Sequence, residues 1–181
     1  MIVVMGLPGA GKSTVLAIAQ DAGWTVLNYG DLMMEIAIKE FNVTDRDSLR
    51  KLPASTQKEI QRRVGELLAL EKRREVILDT HCSVLTAGGY LPGLPFHFLS
   101  RWSVERLVLI SAPIEDILAR RSRDHTRTRD PQSAESLADH DQMNKNYLSC
   151  YSVLTGAPAL VLVNRDGGLA EVQGQFRSIL Q

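Results

Sequence analysis

The stretch Gly6-Leu-Pro-Gly-Ala-Gly-Lys12-Ser13 decides the fold of this chain, because it fits the pattern G-x-x-x-x-G-K-[ST]. The apolar residues 2–5 precede it and are expected to form a buried parallel strand, and residues 13–20 have the spacing of a helix. A strand, a glycine-rich loop and a helix N-terminus together bind phosphate, because backbone N–H groups and the helix dipole both favour an anion. The sequence therefore predicts a P-loop at the start of an α/β domain.

The residues of this loop have separate expected roles. Gly6, Gly9 and Gly11 allow backbone angles and close approach that a Cβ would hinder. Lys12 is expected to reach the β- and γ-phosphates of a nucleoside triphosphate, and the Ser13 hydroxyl is expected to bind Mg²⁺. An ordinary glycine turn is the less favoured alternative. The segment assigned to phosphate binding comprises Gly6, Leu7, Pro8, Gly9, Ala10, Gly11, Lys12, Ser13 and Thr14.

Composition excludes several classes of partner. The 181 residues suit one α/β domain, and acidic and basic residues balance at 21 each, so no overall charge attracts nucleic acid or membrane. No apolar run approaches the ~18 residues that span a bilayer, and the N-terminus lacks a signal-peptide pattern. Cys82 and Cys150 lack metal-binding spacing and indicate a reducing compartment. We therefore expect a cytoplasmic protein without nucleic-acid or membrane partners.

Strands and helices alternate along the rest of the chain. Further apolar strands are predicted at residues 25–28, 76–79, 107–110 and 159–163, with a Gly/Pro-rich loop over residues 80–95. Helices are predicted at residues 31–41, 55–72, 113–123, 133–154 and 169–180, with Asp31 placed to cap the first of these. The pattern predicts a three-layer P-loop NTPase fold, in which helices cover both faces of a five-stranded parallel sheet.

Two carboxylates follow predicted strands. Ligands bind outside the carboxyl ends of strands in α/β sheets, so Asp79, which ends the third strand, is expected near Mg²⁺ beside Ser13, directly or through water. Asp31 lies just past the second strand and is a candidate for the same network. A capping or turn role is the alternative for Asp79, and for Asp31 capping explains the position equally well.

Residues 120–130 carry a cluster of arginines. Guanidinium groups bind phosphate oxygens bidentately, and phosphoryl transfer spreads negative charge over those oxygens. A short lid carrying arginines would close over ATP and exclude water. A solvated helix end and an RNA-binding patch are the alternatives. The five arginines are Arg120, Arg121, Arg123, Arg127 and Arg129.

The chain also has residues that could form a second site, for the molecule that accepts the phosphoryl group. The charged segment between the second and third strands, with Arg46, Arg50 and Lys51, can hold another phosphate, and residues 90–95 can border an acceptor base. If the accepting group is a phosphate, its oxygen is already anionic at neutral pH. It therefore needs no general base in order to attack the transferred phosphoryl group. Catalysis would then consist of alignment and electrostatic stabilisation.

These motifs together resemble the archaeal-type adenylate kinases over essentially the whole chain. The resemblance implies the reversible reaction ATP + AMP ⇌ 2 ADP with Mg²⁺, and hence a role in nucleotide homeostasis. It also implies the sheet order 2-3-1-4-5, a core of residues 1–27, 61–119 and 132–181, an AMP-binding segment at 28–60 and a lid at 120–131. The motifs are the P-loop, Tyr29-Gly-Asp31-Leu-Met33, Asp45-Arg-Asp47 with Arg50-Lys51, Asp79-Thr-His81, Gly89-Tyr-Leu-Pro-Gly-Leu-Pro95, residues 120–130 and Val153-Leu-Thr-Gly156.

The same resemblance implies roles for particular residues. Asp31 and Asp79 match carboxylates around Mg²⁺, Arg50 matches the ligand of the AMP phosphate, and Asn164 begins the backbone that borders the ATP base. His81 stands where bacterial-type relatives carry a motif with an arginine, and it either takes that role or structures the loop. The residues implied in catalysis are Lys12, Arg120, Arg121, Arg127 and Arg129; Tyr29 and Gly30 belong to the nucleotide-binding set.

The sequence leaves alternatives for both the oligomeric state and the biochemical function. Archaeal-type adenylate kinases are commonly trimers, so the resemblance implies a homotrimer. The apolar residues Phe96, Phe98, Leu99 and Trp102 either pack in the core or meet a neighbouring subunit. Another nucleoside monophosphate kinase, an ATP-dependent assembly factor of similar fold and a non-catalytic nucleotide-binding module remain the alternative functions.

Overall fold

Five parallel strands form the central sheet, and two short antiparallel strands form a separate hairpin. The computed structural model describes residues 1–124 and 132–181, with only the backbone of Asp47 and Arg50. The sheet strands are β1 (Ile2–Met5), β2 (Thr25–Asn28), β3 (Val76–Asp79), β6 (Arg106–Ser111) and β7 (Ala159–Val163), and the hairpin strands are β4 (Ser83–Thr86) and β5 (Gly89–Pro92). The α/β parallel-sheet fold expected from the sequence is confirmed.

The strands of the sheet lie in the order β2-β3-β1-β6-β7. This differs from the expected labels 2-3-1-4-5 because the hairpin, which the sequence analysis did not foresee, comes between β3 and the last two strands of the sheet. All four neighbouring pairs are parallel. The strand that precedes the P-loop, β1, therefore lies at the centre, where loops from both halves of the sheet can reach it.

Eight helices occur in the described residues, and none is long and apolar enough to cross a membrane. The predicted helices are present with shifted ends, whereas the short helices α3 and α5 are not among those predicted. The expectation that Asp31 caps α2 was wrong, because the helix starts at Tyr29 and Asn28 is its N-cap. The helices are α1 (Lys12–Asp21), α2 (Tyr29–Phe41), α3 (Arg46–Lys51), α4 (Ala54–Ala69), α5 (Phe96–Leu99), α6 (Ile114–Arg123), α7 (Ala134–Thr155) and α8 (Leu169–Ile179).

The hairpin replaces the loop that was expected over residues 80–95, so that expectation was wrong. Most side chains of β4 and β5 are at least partly exposed, and Gly89 and Pro92 at the two ends of β5 are residues typical of a loop. Two tyrosines of α7 hold the hairpin and the residue before it. The Tyr147 hydroxyl donates to the Tyr90 carbonyl at 2.9 Å, and the Tyr151 hydroxyl donates to the Cys82 carbonyl at 2.8 Å.

Side chains alternate between the two faces of the sheet and form two separate apolar cores. Val3 and Met5 belong to the core shared with α2, α4, α5 and α7, which we call the acceptor-side core. Ile2 and Val4 belong to the core shared with α1, α6 and α8, which we call the donor-side core. The period of two in a strand produces this division. Both faces of β1 are thereby buried, which explains its unbroken apolar sequence.

The apolar residues that suggested a subunit contact mostly pack within the chain. Phe98, Leu99 and Trp102 are buried in the acceptor-side core, and the indole Nε1 of Trp102 donates to the Gly65 carbonyl at 3.0 Å. Phe96 differs, because 60% of its surface is exposed. Three of these four side chains are therefore accounted for by the fold of one chain.

Candidate active site

The loop between β1 and α1 has a shape that two glycines make possible. Gly11 has φ +87°, and a Cβ at this position would overlap the side-chain amide of Asn164. That amide donates to the Ala10 carbonyl at 2.9 Å, so it holds the loop from the end of β7. A Cβ at Gly6 would overlap the Ile110 carbonyl oxygen of β6. The P-loop backbone is thus packed directly against two strand ends.

Lys12 and Asp79 meet at the carboxyl ends of β1 and β3. The Lys12 ammonium donates to the Gly6 carbonyl at 3.2 Å and lies 3.6 Å from Oδ1 of Asp79. The lysine side chain is 12% exposed and the aspartate side chain 18% exposed. Parallel pairing places Asp79 opposite Val4, one strand away from the loop. The structure therefore brings together the lysine and the carboxylate that the sequence analysis assigned to one site.

Asn28, which the sequence analysis did not single out, is the other partner of Asp79. It lies opposite Asp79 in the pairing of β2 with β3, and its Nδ2 donates to Oδ2 of Asp79 at 2.9 Å. Oδ1 of Asp79 is buried and has no hydrogen-bond partner among the described residues. An asparagine directly before a helical pattern is a capping signal, and this signal could have found Asn28.

The start of α2 carries three further residues of the predicted site. Asp31 is exposed and forms an ion pair with Arg46 of α3. A Cβ at Gly30 would lie 3.3 Å from the same guanidinium, so Arg46 covers this turn of the helix. Tyr29 is buried, which raises the pKa of its hydroxyl, and that hydroxyl has no partner among the described residues. Asp31 is therefore engaged with α3 in this structure, and its role at Mg²⁺ stays a prediction.

Arg120 and Arg121 of α6 both lie against the P-loop. Nε of Arg121 donates to the Pro8 carbonyl at 2.9 Å, and its Nη1 donates to Oε1 of Gln132 at 2.8 Å. Arg120 donates to the Asn164 carbonyl at 2.9 Å and forms an ion pair with Asp166 at 2.6 Å. Arg121 therefore connects the P-loop to the start of α7, while Arg120 holds the segment after β7.

His81 and His140 lie near the start of the hairpin, because His81 comes two residues before β4 and His140 contacts Ser83. Desolvation, followed by the positive charge of Lys12, lowers the pKa of His81 to about 4. Part of the His81 surface is in solvent, which limits how far desolvation can act, but the direction of the shift leaves the imidazole neutral at pH 7. His140 of α7 is buried, with Nε2 3.1 Å from the Ser83 hydroxyl, and desolvation lowers its pKa as well. Both rings are therefore neutral at pH 7.

Three of the predicted ligands fall outside the described part of the chain. Arg127 and Arg129 lie in residues 125–131, and the side chain of Arg50 is not among those described. Their assignments to phosphate stay predictions. Ser13 and Thr14 are described, and both are exposed in the first turn of α1, at the N-terminal end of the helix.

The donor set beside Lys12 fits Mg²⁺. Ser13 offers a hydroxyl, and Asp79 offers a buried carboxylate oxygen without a hydrogen-bond partner in the described part of the chain. Within those residues no group of three or more His, Cys, Asp or Glu side chains could hold a metal. Mg²⁺ does not need one, because it keeps several waters and takes further oxygens from substrate phosphates. The residues present therefore suit this ion.

A P-loop at the central strand of a parallel sheet, with a carboxylate beside its lysine, defines a nucleotide-binding protein with the P-loop kinase fold. A family model described as an AAA domain matches residues 5–138. The shikimate kinases of Acinetobacter baumannii and Bacteroides thetaiotaomicron share the fold, with TM-scores of 0.61 each and identities of 21% and 13%. Each comparison covers 99% of this chain and, respectively, 92% and 97% of the other.

The sequence relatives are more specific. The chain is 37% identical to the adenylate kinase of Methanothermobacter thermautotrophicus, over 100% of this chain and 99% of that protein. It is 40% identical to the adenylate kinase of Methanopyrus kandleri, over 97% of this chain and 95% of that protein. The chain belongs to the adenylate kinase family, whose members are phosphotransferases. The function expected from the sequence is thereby confirmed at the level of the family.

Proposed function

We propose that this adenylate kinase catalyses the reversible, Mg²⁺-dependent reaction ATP + AMP ⇌ 2 ADP and maintains nucleotide balance in the cytoplasm. The observation that carries the proposal is the pair formed by Lys12 and the half-satisfied carboxylate of Asp79, 3.6 Å apart at the mouth of the P-loop. A cation and a carboxylate at this edge of the sheet suit a magnesium–nucleotide complex.

The donor nucleotide would lie along the loop formed by residues 6–14. The backbone N–H groups and the start of α1 would bind the ATP phosphates, and Lys12 would exchange its contact with the Gly6 carbonyl for phosphate oxygens. Asn164 and the residues up to Gly168 would border the base. The ties of Asn164 to Ala10 and of Arg120 to the Asn164 carbonyl support this role, because they fix the base-side segment relative to the P-loop.

The acceptor would lie between α2 and the hairpin. We assign the AMP phosphate to Arg50, and the segment 28–60, including Tyr29 and Gly30, to the acceptor nucleotide. Tyr29 and Ile36 of this segment pack in the acceptor-side core, so buried apolar contacts support the proposed pocket. Transfer would run in line from the ATP γ-phosphate to an AMP oxygen that needs no deprotonation.

Arginines would stabilise the charge that builds up during transfer. Arg121 is already held beside the loop, through its contacts with Pro8 and Gln132. We assign Arg120, Arg127 and Arg129 to the same charge, with residues 120–131 as the segment that covers the nucleotides. Exclusion of water would suppress ATP hydrolysis, the side reaction expected of an open site.

Ser13 and Asp79 would hold Mg²⁺, and Asp31 would act on its water shell. When bound, the ion supplies positive charge to the phosphate oxygens and fixes their orientation. Asp79 would also keep Lys12 in place, since their charges lie 3.6 Å apart and both side chains are largely buried.

A panel of acceptors tests the proposal. We expect Mg²⁺-dependent formation of ADP from ATP and AMP in a coupled assay, with lower rates for CMP, UMP and GMP. Turnover with CMP or UMP and none with AMP would assign the chain to another nucleoside monophosphate kinase activity. ATP hydrolysis without any acceptor turnover would instead favour the assembly-factor alternative.

We also propose a homotrimer, on the strength of the resemblance to archaeal-type relatives. Exposed apolar side chains on the hairpin and α5, such as Leu91 at 56% and Phe96 at 60% exposure, are available for such a contact. Multi-angle light scattering at micromolar concentration is expected to give about three times the 20.1 kDa of one chain. A mass near 20.1 kDa that does not change with concentration would rule the trimer out.

A further inference from the structure

We propose that Asn28 is a positioning residue that orients the Asp79 carboxylate toward the magnesium–nucleotide complex and ties that orientation to the start of the acceptor segment. The inference rests on the proposed function and deepens it. Asn28 would not touch the reacting atoms, because its amide is used on Asp79 and on the backbone of α2.

The two ends of the Asn28 amide have different partners. Nδ2 donates to Oδ2 of Asp79 at 2.9 Å, and Oδ1 accepts from the backbone N–H of Asp31 at 3.1 Å. An amide that donates at one end and accepts at the other has a defined orientation. The side chain therefore joins the last residue of β3 to the first turn of α2.

This arrangement leaves one oxygen of Asp79 for the ligand. Oδ2 is satisfied by Asn28, while Oδ1 faces Lys12 at 3.6 Å and has no hydrogen bond within the described residues. A buried carboxylate oxygen without a hydrogen bond is costly unless a cation compensates it. Asn28 thus acts as an outer partner of a metal-binding carboxylate, a position whose loss typically costs 10–100-fold in metal affinity or activity.

The competing explanation is that Asn28 only caps α2. Capping alone requires the Oδ1 contact with the Asp31 N–H and predicts a loss of stability without a specific effect on Mg²⁺. The contact from Nδ2 to Asp79 is the part that capping does not explain. A substitution that keeps the cap and removes the donor to Asp79 therefore separates the two roles.

Asn28→Ser is that substitution, because serine caps helices well but its hydroxyl is too short to span the contact with Asp79. Asn28→Ala removes both contacts. Ser178→Ala is the control, since the Ser178 hydroxyl donates to the Gln175 carbonyl at 2.7 Å in the last turn of α8, outside the site. For each protein we would measure the melting temperature, kcat, KM for AMP, and the calorimetric affinities for MgATP and for ATP in EDTA.

We expect Asn28→Ser to keep a melting temperature close to that of the parent protein while kcat falls about 10–100-fold. The Mg²⁺ factor, which is the affinity for MgATP divided by the affinity for ATP in EDTA, should fall by a similar amount. This readout is independent of turnover. Asn28→Ala should show the same loss and, in addition, a higher KM for AMP, because α2 then loses its cap. Ser178→Ala should change neither kcat nor the factor by which Mg²⁺ tightens ATP binding.

A double-mutant cycle with Asp79→Ala completes the test. If Asn28 acts through Asp79, then Asn28→Ser should have no further effect on the Mg²⁺ factor once Asp79 is removed. Parental kcat and Mg²⁺ factor in folded Asn28→Ser, or additive effects in the cycle, would overturn the proposal. The binding measurements need no acceptor turnover, so a failure of the proposed reaction and a failure of this inference give different results.

Discussion

Replacement of Lys12 by methionine is expected to lower kcat by about 10²–10³-fold, comparable to the loss of one donor that acts in the transition state. The ammonium lies at the mouth of the P-loop, between the Gly6 carbonyl and Asp79, and is only 12% exposed. Its charge would be closest to the phosphate oxygens where negative charge grows during transfer. Methionine has similar length and packs well, so the fold should be preserved.

The control for this variant is Lys72→Met, which removes an exposed lysine outside the site. Steady-state kinetics with ATP and AMP, together with thermal denaturation, would distinguish a catalytic loss from unfolding. Parental kcat in a folded Lys12→Met protein would contradict the assignment of this loop to phosphate binding.

The second large effect is expected for Asp79→Ala. We expect kcat to fall by about 10²-fold and the Mg²⁺ concentration for half-maximal rate to rise, because a carboxylate beside the ion and beside Lys12 is lost. Asp31→Ala should have a smaller effect, since Asp31 is exposed and its carboxylate is paired with Arg46. Mg²⁺ titrations of the initial rate for the two variants provide the comparison.

Asp79→Asn serves as the shape-conserving control, because it keeps the volume of the side chain and removes its charge. It should resemble Asp79→Ala in its Mg²⁺ requirement. If both Asp79 variants have the same Mg²⁺ requirement as the parent protein, Asp79 has only a turn or capping role, the alternative given in the sequence analysis.

The strands and the P-loop could be predicted because their signal is local. An apolar run such as residues 2–5 followed by the glycine pattern needs no tertiary information, and the structure has β1, the loop and α1 in that order. Asp79 could be predicted in the same way, from its place at the end of an apolar strand. Confirmation of the family came from relatives that match nearly the whole chain.

The remaining parts depend on contacts between distant residues. The hairpin was missed because Gly89 and Pro92 indicate a loop, whereas its position is fixed by two tyrosines of α7 that lie 57 and 69 positions from their partners. Asp31 was wrongly predicted to cap α2, because the sequence pattern locates the start of a helix only to within about two residues. The N-cap of α2 is Asn28. The closest ion pair of Arg120 is with Asp166, 46 positions away, and no local pattern indicates such a pair.

The division of the interior into two cores separates the packing beneath the acceptor segment from the packing beneath the P-loop. The P-loop residues Leu7 and Ala10 pack in the donor-side core, whereas α2 and α4 pack in the acceptor-side core, with the sheet between them. Effects of substitutions at distant sites on the free energy of unfolding are usually additive, so changes in one core need not loosen the other. A substitution at Ile36 or Ile60 should therefore alter the packing beneath the acceptor segment while the residues under the P-loop keep their contacts.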